Sequence, residues 1–151
     1  MLPEPIPKRI EALTQVVDKL LEQEPVLYRN AKPSSFPDVG GVYVISSSAG
    51  EFVRAGKTGQ GYATLRDRLY RNHLMGNQGG NLRAQLVGSG QCRDMDDAKS
   101  WVRENCSVRF LEIIDSTERA NIEHFILAVL KPRFCDDNKS MKGSPDGSSC
   151  K

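Results

Sequence analysis

A group of cationic side chains lies between residues 54 and 71. This segment holds five basic residues against a single acidic one, Asp67; the basic residues are Arg54, Lys57, Arg66, Arg68 and Arg71. A local excess of positive charge, on a chain whose net charge is only +2, suits contact with a polyanion at one face. A solvated helix face would carry the same charges, so charge alone leaves both interpretations open.

The carboxylate of Glu123 is a second candidate for chemistry. On a helical wheel Glu123 lies between Leu127 and Leu130, at the edge of an apolar face. A charge at such an edge requires a cation or an ionic partner, because burying it alone is costly. One partner would be a hard divalent ion such as Mg²⁺, which prefers few carboxylates and keeps several waters. The other would be a structural salt bridge to Arg68 or Arg54.

Recurring apolar residues and turn signals predict the elements that position these side chains. Apolar residues at three- and four-residue spacing, from Ile10 to Leu21, predict an amphipathic N-terminal helix that ends near Glu24. Residues 41–45 and 52–55 are rich in β-branched and aromatic residues and flank a turn, so they predict an antiparallel hairpin.

The second half of the chain is predicted to be mainly helical. The patterns predict helices over 64–75, 82–87 and a segment capped by Asp94 or Asp96, then a strand over 106–114 and a helix over 119–130. Asp115 and Glu118 match a capping box that opens the last helix, and Lys131-Pro132 closes it. The order predicts an α+β fold with a small, mostly antiparallel three-stranded sheet flanked by helices.

Composition limits the class of protein. Hydrophobic residues make up 38% and charged residues 26% of the 151 residues, which is enough apolar material for one core. No apolar run approaches the roughly 20 residues of a membrane-spanning helix, so no membrane association is expected. The four cysteines form no C-x-x-C pair, and we expect reduced thiols in a cytoplasmic protein.

Four stretches, in this order, carry a resemblance to a known family. Gly41-Val42-Tyr43 is followed after ten residues by Arg54-Ala55-Gly56-Lys57-Thr58, then by residues 65–74, which include Arg68, and last by residues 122–134, which include Glu123. This order resembles the GIY-YIG nuclease family over about residues 40–137. The chain departs from the family pattern where Arg54 replaces a motif tyrosine and where His73 lies one residue beyond the commonest spacing.

The resemblance implies a GIY-YIG-like fold and a metal-dependent endonuclease that hydrolyses phosphodiester bonds in DNA. Arg68 stands at the position of the catalytic arginine, where its guanidinium would stabilise the phosphate transition state. Glu123 matches the metal-binding glutamate, with Mg²⁺ or Mn²⁺ as the cofactor. Tyr43, His73 and Lys57 are three candidates for the group that activates water, and the sequence does not choose among them.

Further expectations concern contacts and organisation. Arg54 counts as a candidate catalytic residue at the second motif, and Arg54, Lys57, Arg66 and Arg71 are predicted to contact nucleic acid. Residues 1–39 form a predicted N-terminal helix and linker, 40–137 the nuclease-like domain and 138–151 a flexible tail. RNA as a substrate and a homodimer are both left open.

Two rival functions remain open at this stage. The replacement of the motif tyrosine by Arg54 raises the alternative of a non-catalytic nucleic-acid-binding module that keeps the fold. The low net charge and the amphipathic N-terminal helix are compatible with a protein-interaction domain.

Overall fold

The computed structural model describes residues 5–59 and 61–135. Its regular elements follow the predicted order, with two additional short strands and a π-helical turn. In chain order they are α1 Ile6–Leu21, β1 Val26–Leu27, β2 Gly41–Ser47, β3 Phe52–Lys57, the π-turn Asp67–Asn72, α2 Leu82–Gly88, α3 Met95–Asn105, β4 Cys106–Glu112, α4 Ser116–Leu130 and β5 Phe134–Cys135.

The strands form one five-stranded sheet in the order β1-β4-β2-β3-β5. The pairs β1/β4, β4/β2 and β2/β3 are antiparallel, whereas β3/β5 is parallel. The α+β class is therefore confirmed, and the prediction of a three-stranded sheet is wrong. The two added edge strands have only two residues each, which is too short for an alternating pattern to appear in the sequence.

The sheet buries a separate apolar cluster on each face. One face, which we call the tyrosine face, carries Tyr43 and Ile45 and packs against Leu65, Leu69 and Leu82 among others. The opposite face, which we call the α4 face, carries Val42, Val44 and Ala55 and packs against α4 and α1 through Ile122, Ile126, Val17 and Leu20. The N-terminal helix thus shares a core with the sheet.

Local signals explain where the helices begin and end. The Asp115 side chain accepts a hydrogen bond from the Glu118 backbone N–H at 2.8 Å, and α4 begins at Ser116. Lys131, in the left-handed region with φ 49°, ends α4 just before Pro132. Asp94 caps α3 in the same way, by accepting a hydrogen bond from Asp97 N at 2.8 Å. The Asp115 cap of the predicted capping box therefore marks the start of α4.

The expectations about thiols, membranes and the tail have different outcomes. Cys92 and Cys106 are free thiols, in agreement with the prediction of reduced thiols at these two positions. Of the helices within residues 5–59 and 61–135, none has both the length and the apolar composition needed to cross a bilayer. The predicted tail 138–151 lies outside the described residues.

Candidate active site

The hairpin places two of the motif stretches side by side. Tyr43 on β2 pairs directly with Gly56 on β3, and the neighbouring Val42 pairs with Lys57. Glycine is required at position 41, because a Cβ there would overlap the backbone carbonyl oxygen of Leu111 on β4. The first motif is thus enclosed by strands on both sides.

Thr58 closes this end of the hairpin. Its hydroxyl oxygen accepts a hydrogen bond from Gly41 N at 3.1 Å, and its own backbone N–H donates to Gly41 O at 3.0 Å. Thr58 is fully buried. The threonine thus secures the start of β2 to the end of β3, which gives the Gly56-Lys57-Thr58 sequence a structural role in the hairpin.

Tyr43 and His73 are in direct contact. The Tyr43 hydroxyl lies 2.7 Å from His73 Nε2, and the two rings meet edge to face with centroids 5.5 Å apart. Both side chains are fully buried. The structure therefore brings together two residues that are 30 positions apart in the chain.

The second nitrogen of His73 fixes the tautomer of the ring. His73 Nδ1 lies 3.1 Å from the backbone N of Leu82, which is a donor, so Nδ1 must accept. In the neutral ring the proton then resides on Nε2, which donates it to the Tyr43 oxygen. A hydrogen bond donated to a phenol oxygen favours negative charge on that oxygen. His73 is thus oriented to stabilise a Tyr43 phenolate.

Arg68 and His73 belong to one unusual helical segment. The sequence predicts an α-helix over 64–75, but residues Asp67–Asn72 form a π-turn. The backbone N–H of His73 donates to Arg68 O at 3.0 Å, and Met75 N donates to Tyr70 O at 3.0 Å, five residues back in each case. Such turns are rare and occur frequently at functional sites.

The guanidinium of Arg68 is held on two sides. Its Nη1 donates to Asn72 Oδ1 at 3.0 Å, and its Cζ lies 5.7 Å from the centre of the Tyr62 ring, within cation–π distance. Tyr62 is fixed in turn by a reciprocal pair of backbone hydrogen bonds with Gly59 at 3.0 and 3.2 Å. Arg68 therefore has a defined direction.

Glu123 is 6% exposed and lies on α4, which packs on β2 and β3. Arg119, one turn earlier on the same side of the helix, locates this part of α4. Its Nη1 donates to the carbonyl oxygens of Ile113 and Ile114 at 2.9 and 3.0 Å. A Cβ on Gly40 would overlap the Arg119 guanidinium and lie 3.1 Å from Thr58 Oγ1. This turn of α4 therefore lies beside the Thr58-closed end of the hairpin.

The donor set around Glu123 limits which cation would fit. Among the described residues Glu123 is the one buried carboxylate, and no group of three or more His, Cys, Asp or Glu side chains there could hold a metal ion. Zn²⁺ and Ca²⁺ sites usually need such groups. Mg²⁺ and Mn²⁺ suit a single carboxylate, because water and substrate oxygens complete their coordination.

Arg54 occupies a different environment from the other candidate residues. It is fully buried, and its Nη1 donates to Gly80 O at 2.7 Å and to Gln85 Oε1 at 2.5 Å. Gln85 Nε2 donates onward to Cys135 O at 2.9 Å, so the group links β3, α2 and β5. Burial raises the pKa of the nearby Tyr28 well above its ordinary value, the Tyr43 phenol adds to this, and Arg54 opposes it.

The predicted nucleic-acid contacts differ in accessibility. Arg66 Nε donates to Pro33 O and Phe36 O at 3.0 and 3.1 Å, so much of its guanidinium secures the preceding loop. Arg71 is exposed and pairs with Asp67 at 2.5 Å. Lys57 is half-buried at the end of β3. Its Nζ lies beside Gly59, 3.4 Å from the point that a Cβ would occupy if this residue had one.

Two asparagines that the sequence analysis does not single out support the site. Asn72 and Asn81 are 2% and 1% exposed. Asn81 Nδ2 donates to Asn72 O and to Gly76 O, both at 2.9 Å, while its Oδ1 accepts from Ala84 N at 2.8 Å and caps α2. A polar residue directly before the apolar helix 82–87 is a readable capping signal, whereas the link to Asn72 has no sequence signal.

Searches of family models, curated proteins and solved structures found no match to this chain. The support for a function therefore comes from the residues and their geometry. Tyr43 and His73 are in contact, Arg68 lies on the same helical segment as His73, and Glu123 is buried on α4, which packs on the other face of the same hairpin.

Proposed function

We propose that this protein is a metal-dependent endonuclease of the GIY-YIG type, which hydrolyses phosphodiester bonds in DNA. The observation that carries the proposal is the 2.7 Å contact between Tyr43 of the first motif and His73 of the arginine-bearing segment. An unrelated fold with a chance motif match would have no reason to join these two distant residues. The α+β fold with the motif hairpin at its centre adds support.

In this proposal Arg68 binds the scissile phosphate. Its guanidinium presents a planar set of donors that matches phosphate oxygens and stays charged at every working pH. Asn72 and the Tyr62 ring restrict its rotamers, so little conformational freedom is lost when the phosphate binds. Positive charge held in place stabilises the charge that develops on the phosphoryl oxygens in the transition state.

Tyr43 is the group that we assign to proton removal from the attacking water. His73 is unsuited to accept that proton, because its Nδ1 faces the Leu82 N–H and its Nε2 faces Tyr43. We assign His73 to a positioning role, in which its Nε2–H stabilises the Tyr43 phenolate. Lys57, half-buried at the end of β3, is assigned to phosphate contact.

Glu123 is the residue that would hold the divalent cation. A bound Mg²⁺ or Mn²⁺ would supply positive charge next to a phosphate oxygen. Glu123 itself contributes one carboxylate from α4, and Arg119 secures that helix to the preceding segment by donating to the carbonyl oxygens of Ile113 and Ile114. The rigid mounting keeps the carboxylate at one distance from the end of the hairpin.

A non-catalytic nucleic-acid-binding module is the second candidate, and two observations favour it. Arg54 replaces the motif tyrosine and is committed to Gly80 O and Gln85 Oε1. Tyr43 is fully buried, so a water must reach an enclosed hydroxyl before the phenol acts on it. Such a module would still bind nucleic acid through Arg71 and Lys57.

A plasmid assay separates the two candidates. Supercoiled DNA is incubated with the protein in Mg²⁺, in Mn²⁺, and in EDTA, and binding is followed in parallel at low and high salt. The endonuclease proposal predicts nicked or linear product with Mg²⁺ or Mn²⁺ and none in EDTA. Salt-sensitive binding with no product in any metal would contradict it and support the binding module.

A further inference from the structure

The π-turn changes which residues share a face of the segment. Arg68 and His73 are five positions apart, and in an α-helix of 3.6 residues per turn they would point about 140° away from each other. The hydrogen bond from His73 N to Arg68 O, at 3.0 Å, instead stacks residue 73 above residue 68. The π-turn therefore lets Asn72 hold Arg68 while His73 contacts Tyr43.

Three buried leucines follow the same spacing. Leu65, Leu69 and Leu74 are all fully buried, with steps of four and then five residues. A step of five would turn the third leucine away from the core in a regular α-helix, whereas it fits one added residue absorbed by a π-turn. The placement of Arg68 and His73 on one face and the burial of the three leucines are thus both explained by one extra residue in the helix.

The added residue can be located on the exposed side of the turn. Arg71 has a side chain that is 60% exposed and makes an ion pair with Asp67. An exposed pair of this kind contributes little to stability. Removing position 71 would give steps of four and four for the leucines and would bring His73 to the fourth position after Arg68. In an α-helix residues four apart lie on one face.

We infer that the π-turn Asp67–Asn72 is a one-residue insertion that positions Arg68 and His73 on the same side of the segment, with Asn72 and His73 acting as positioning residues. The role assigned to Arg68 rests on the proposed function, but the placement of the two side chains does not. The inference predicts that deletion of Arg71 converts the π-turn to α-helix and preserves the Tyr43–His73 contact.

The test compares three variants with the parent protein. In ΔArg71, the buried Nε2–H of His73 should still give its slowly exchanging proton resonance in ¹H–¹⁵N spectra. The melting temperature should stay within a few degrees of that of Arg71→Ala, which removes the same ion pair without changing the register. ΔSer100 removes an exposed residue of the regular helix α3 and should unfold the protein, because it rotates Trp101 and Val102 away from Ala98.

The outcomes separate this inference from the proposed function. Loss of the His73 resonance or of the fold in ΔArg71, with both kept in Arg71→Ala, would overturn the inference. Equal melting temperatures of ΔArg71 and ΔSer100 would also overturn it, since the π-turn would then accept a one-residue deletion no better than the regular helix α3 does. If neither the parent nor any variant nicks DNA but the His73 Nε2–H resonance is retained in ΔArg71, the proposed function is contradicted and this inference is not.

Discussion

The two faces of the sheet are built from different kinds of side chain. The tyrosine face buries polar groups, among them His73, Asn72 and Arg54, and nearly every one is hydrogen-bonded to backbone or to another side chain. The α4 face is an aliphatic cluster around Ile122 and Ile126, with the Glu123 carboxylate at its edge. Burying polar groups is costly unless they are satisfied, and the hydrogen bonds on the tyrosine face offset that cost.

We expect the aliphatic cluster of the α4 face to supply most of the stability, with Glu123 as the one candidate functional group at its edge, and the other candidate groups to lie on or near the tyrosine face. Arg54 and Arg68 illustrate two uses of one residue type on or near the tyrosine face. Arg54 is fully buried and joins β3 to α2 through Gly80 and Gln85. Arg68 is only part-buried and is held in direction by Asn72 and Tyr62. The predictions below test this division.

The largest effect is expected at Glu123, where Glu123→Gln keeps the size of the side chain and removes its charge. Cleavage with Mg²⁺ should fall by about 10³-fold or more, because a neutral amide is a poor ligand for a hard cation. Glu118→Gln changes an exposed carboxylate in the first turn of the same helix and should leave cleavage unchanged. Equal rates in the two variants would remove Glu123 from the site.

A large loss of stability is expected on the α4 face. Ile126→Ala empties a fully buried position and should lower the free energy of unfolding by about 2–5 kcal/mol in urea titrations. Val129 lies on the same helix and is 50% exposed, so Val129→Ala should change the free energy of unfolding by less than about 1 kcal/mol. Similar values for both would show that this face is not the main source of stability.

A smaller effect is expected on the tyrosine face. Tyr43→Phe removes the acceptor for His73 Nε2–H and leaves that donor buried, which should cost about 1–3 kcal/mol of unfolding free energy. Tyr70→Phe, at a half-buried tyrosine of the π-turn, is the matched control and should be nearly neutral. Thermal unfolding of the two variants measures the difference, and a Tyr43→Phe variant as stable as Tyr70→Phe would contradict the buried Tyr43–His73 hydrogen bond.

The smallest effect near neutral pH concerns Cys106, at the start of β4. Burial raises the pKa of this thiol from 9.0 to about 12, with smaller contributions from Cys92 and Glu51. The folded state thus holds the proton more tightly than the unfolded state does. The stabilisation is complete below pH 9 and is lost as the pH rises from about 9 to 12.

Urea titrations across this pH range give the measurement. The free energy of unfolding should fall more steeply between about pH 9 and 11 in the parent than in Cys106→Ala, since alanine has no proton to lose. Identical slopes would show that the Cys106 thiol is accessible enough to ionise in the folded protein.

Elements with strong local signals are the ones that the sequence predicts well. Asp115 and Lys131-Pro132 mark the ends of α4 because capping and helix termination act within a few residues. The π-turn has no comparable signal, since leucines at 65, 69 and 74 resemble those of a slightly irregular α-helix. The two-residue strands β1 and β5 depend on partners distant in the chain, so no local pattern announces them.

The candidate site is predictable in part. Tyr43 and His73 stand out in the sequence, but their contact depends on the π-turn and on the Leu82 N–H, which only the folded chain reveals. Arg54 falls among the accessible basic residues in the sequence analysis because charge counts ignore burial. Asn72 and Asn81 escape notice, because the hydrogen bonds from Arg68 to Asn72 Oδ1 and from Asn81 Nδ2 to Asn72 O have no signal in the sequence.

The central claim is that Arg68 acts on a phosphate, and its neighbour on the same turn provides the most direct test. Arg68→Ala and Arg71→Ala remove the same charge three residues apart, one from the candidate site and one from an exposed ion pair. Single-turnover cleavage of plasmid DNA with Mg²⁺ should fall by about 10³-fold in Arg68→Ala and by less than about tenfold in Arg71→Ala. Equal rates in the two variants, with both proteins folded, would contradict the account.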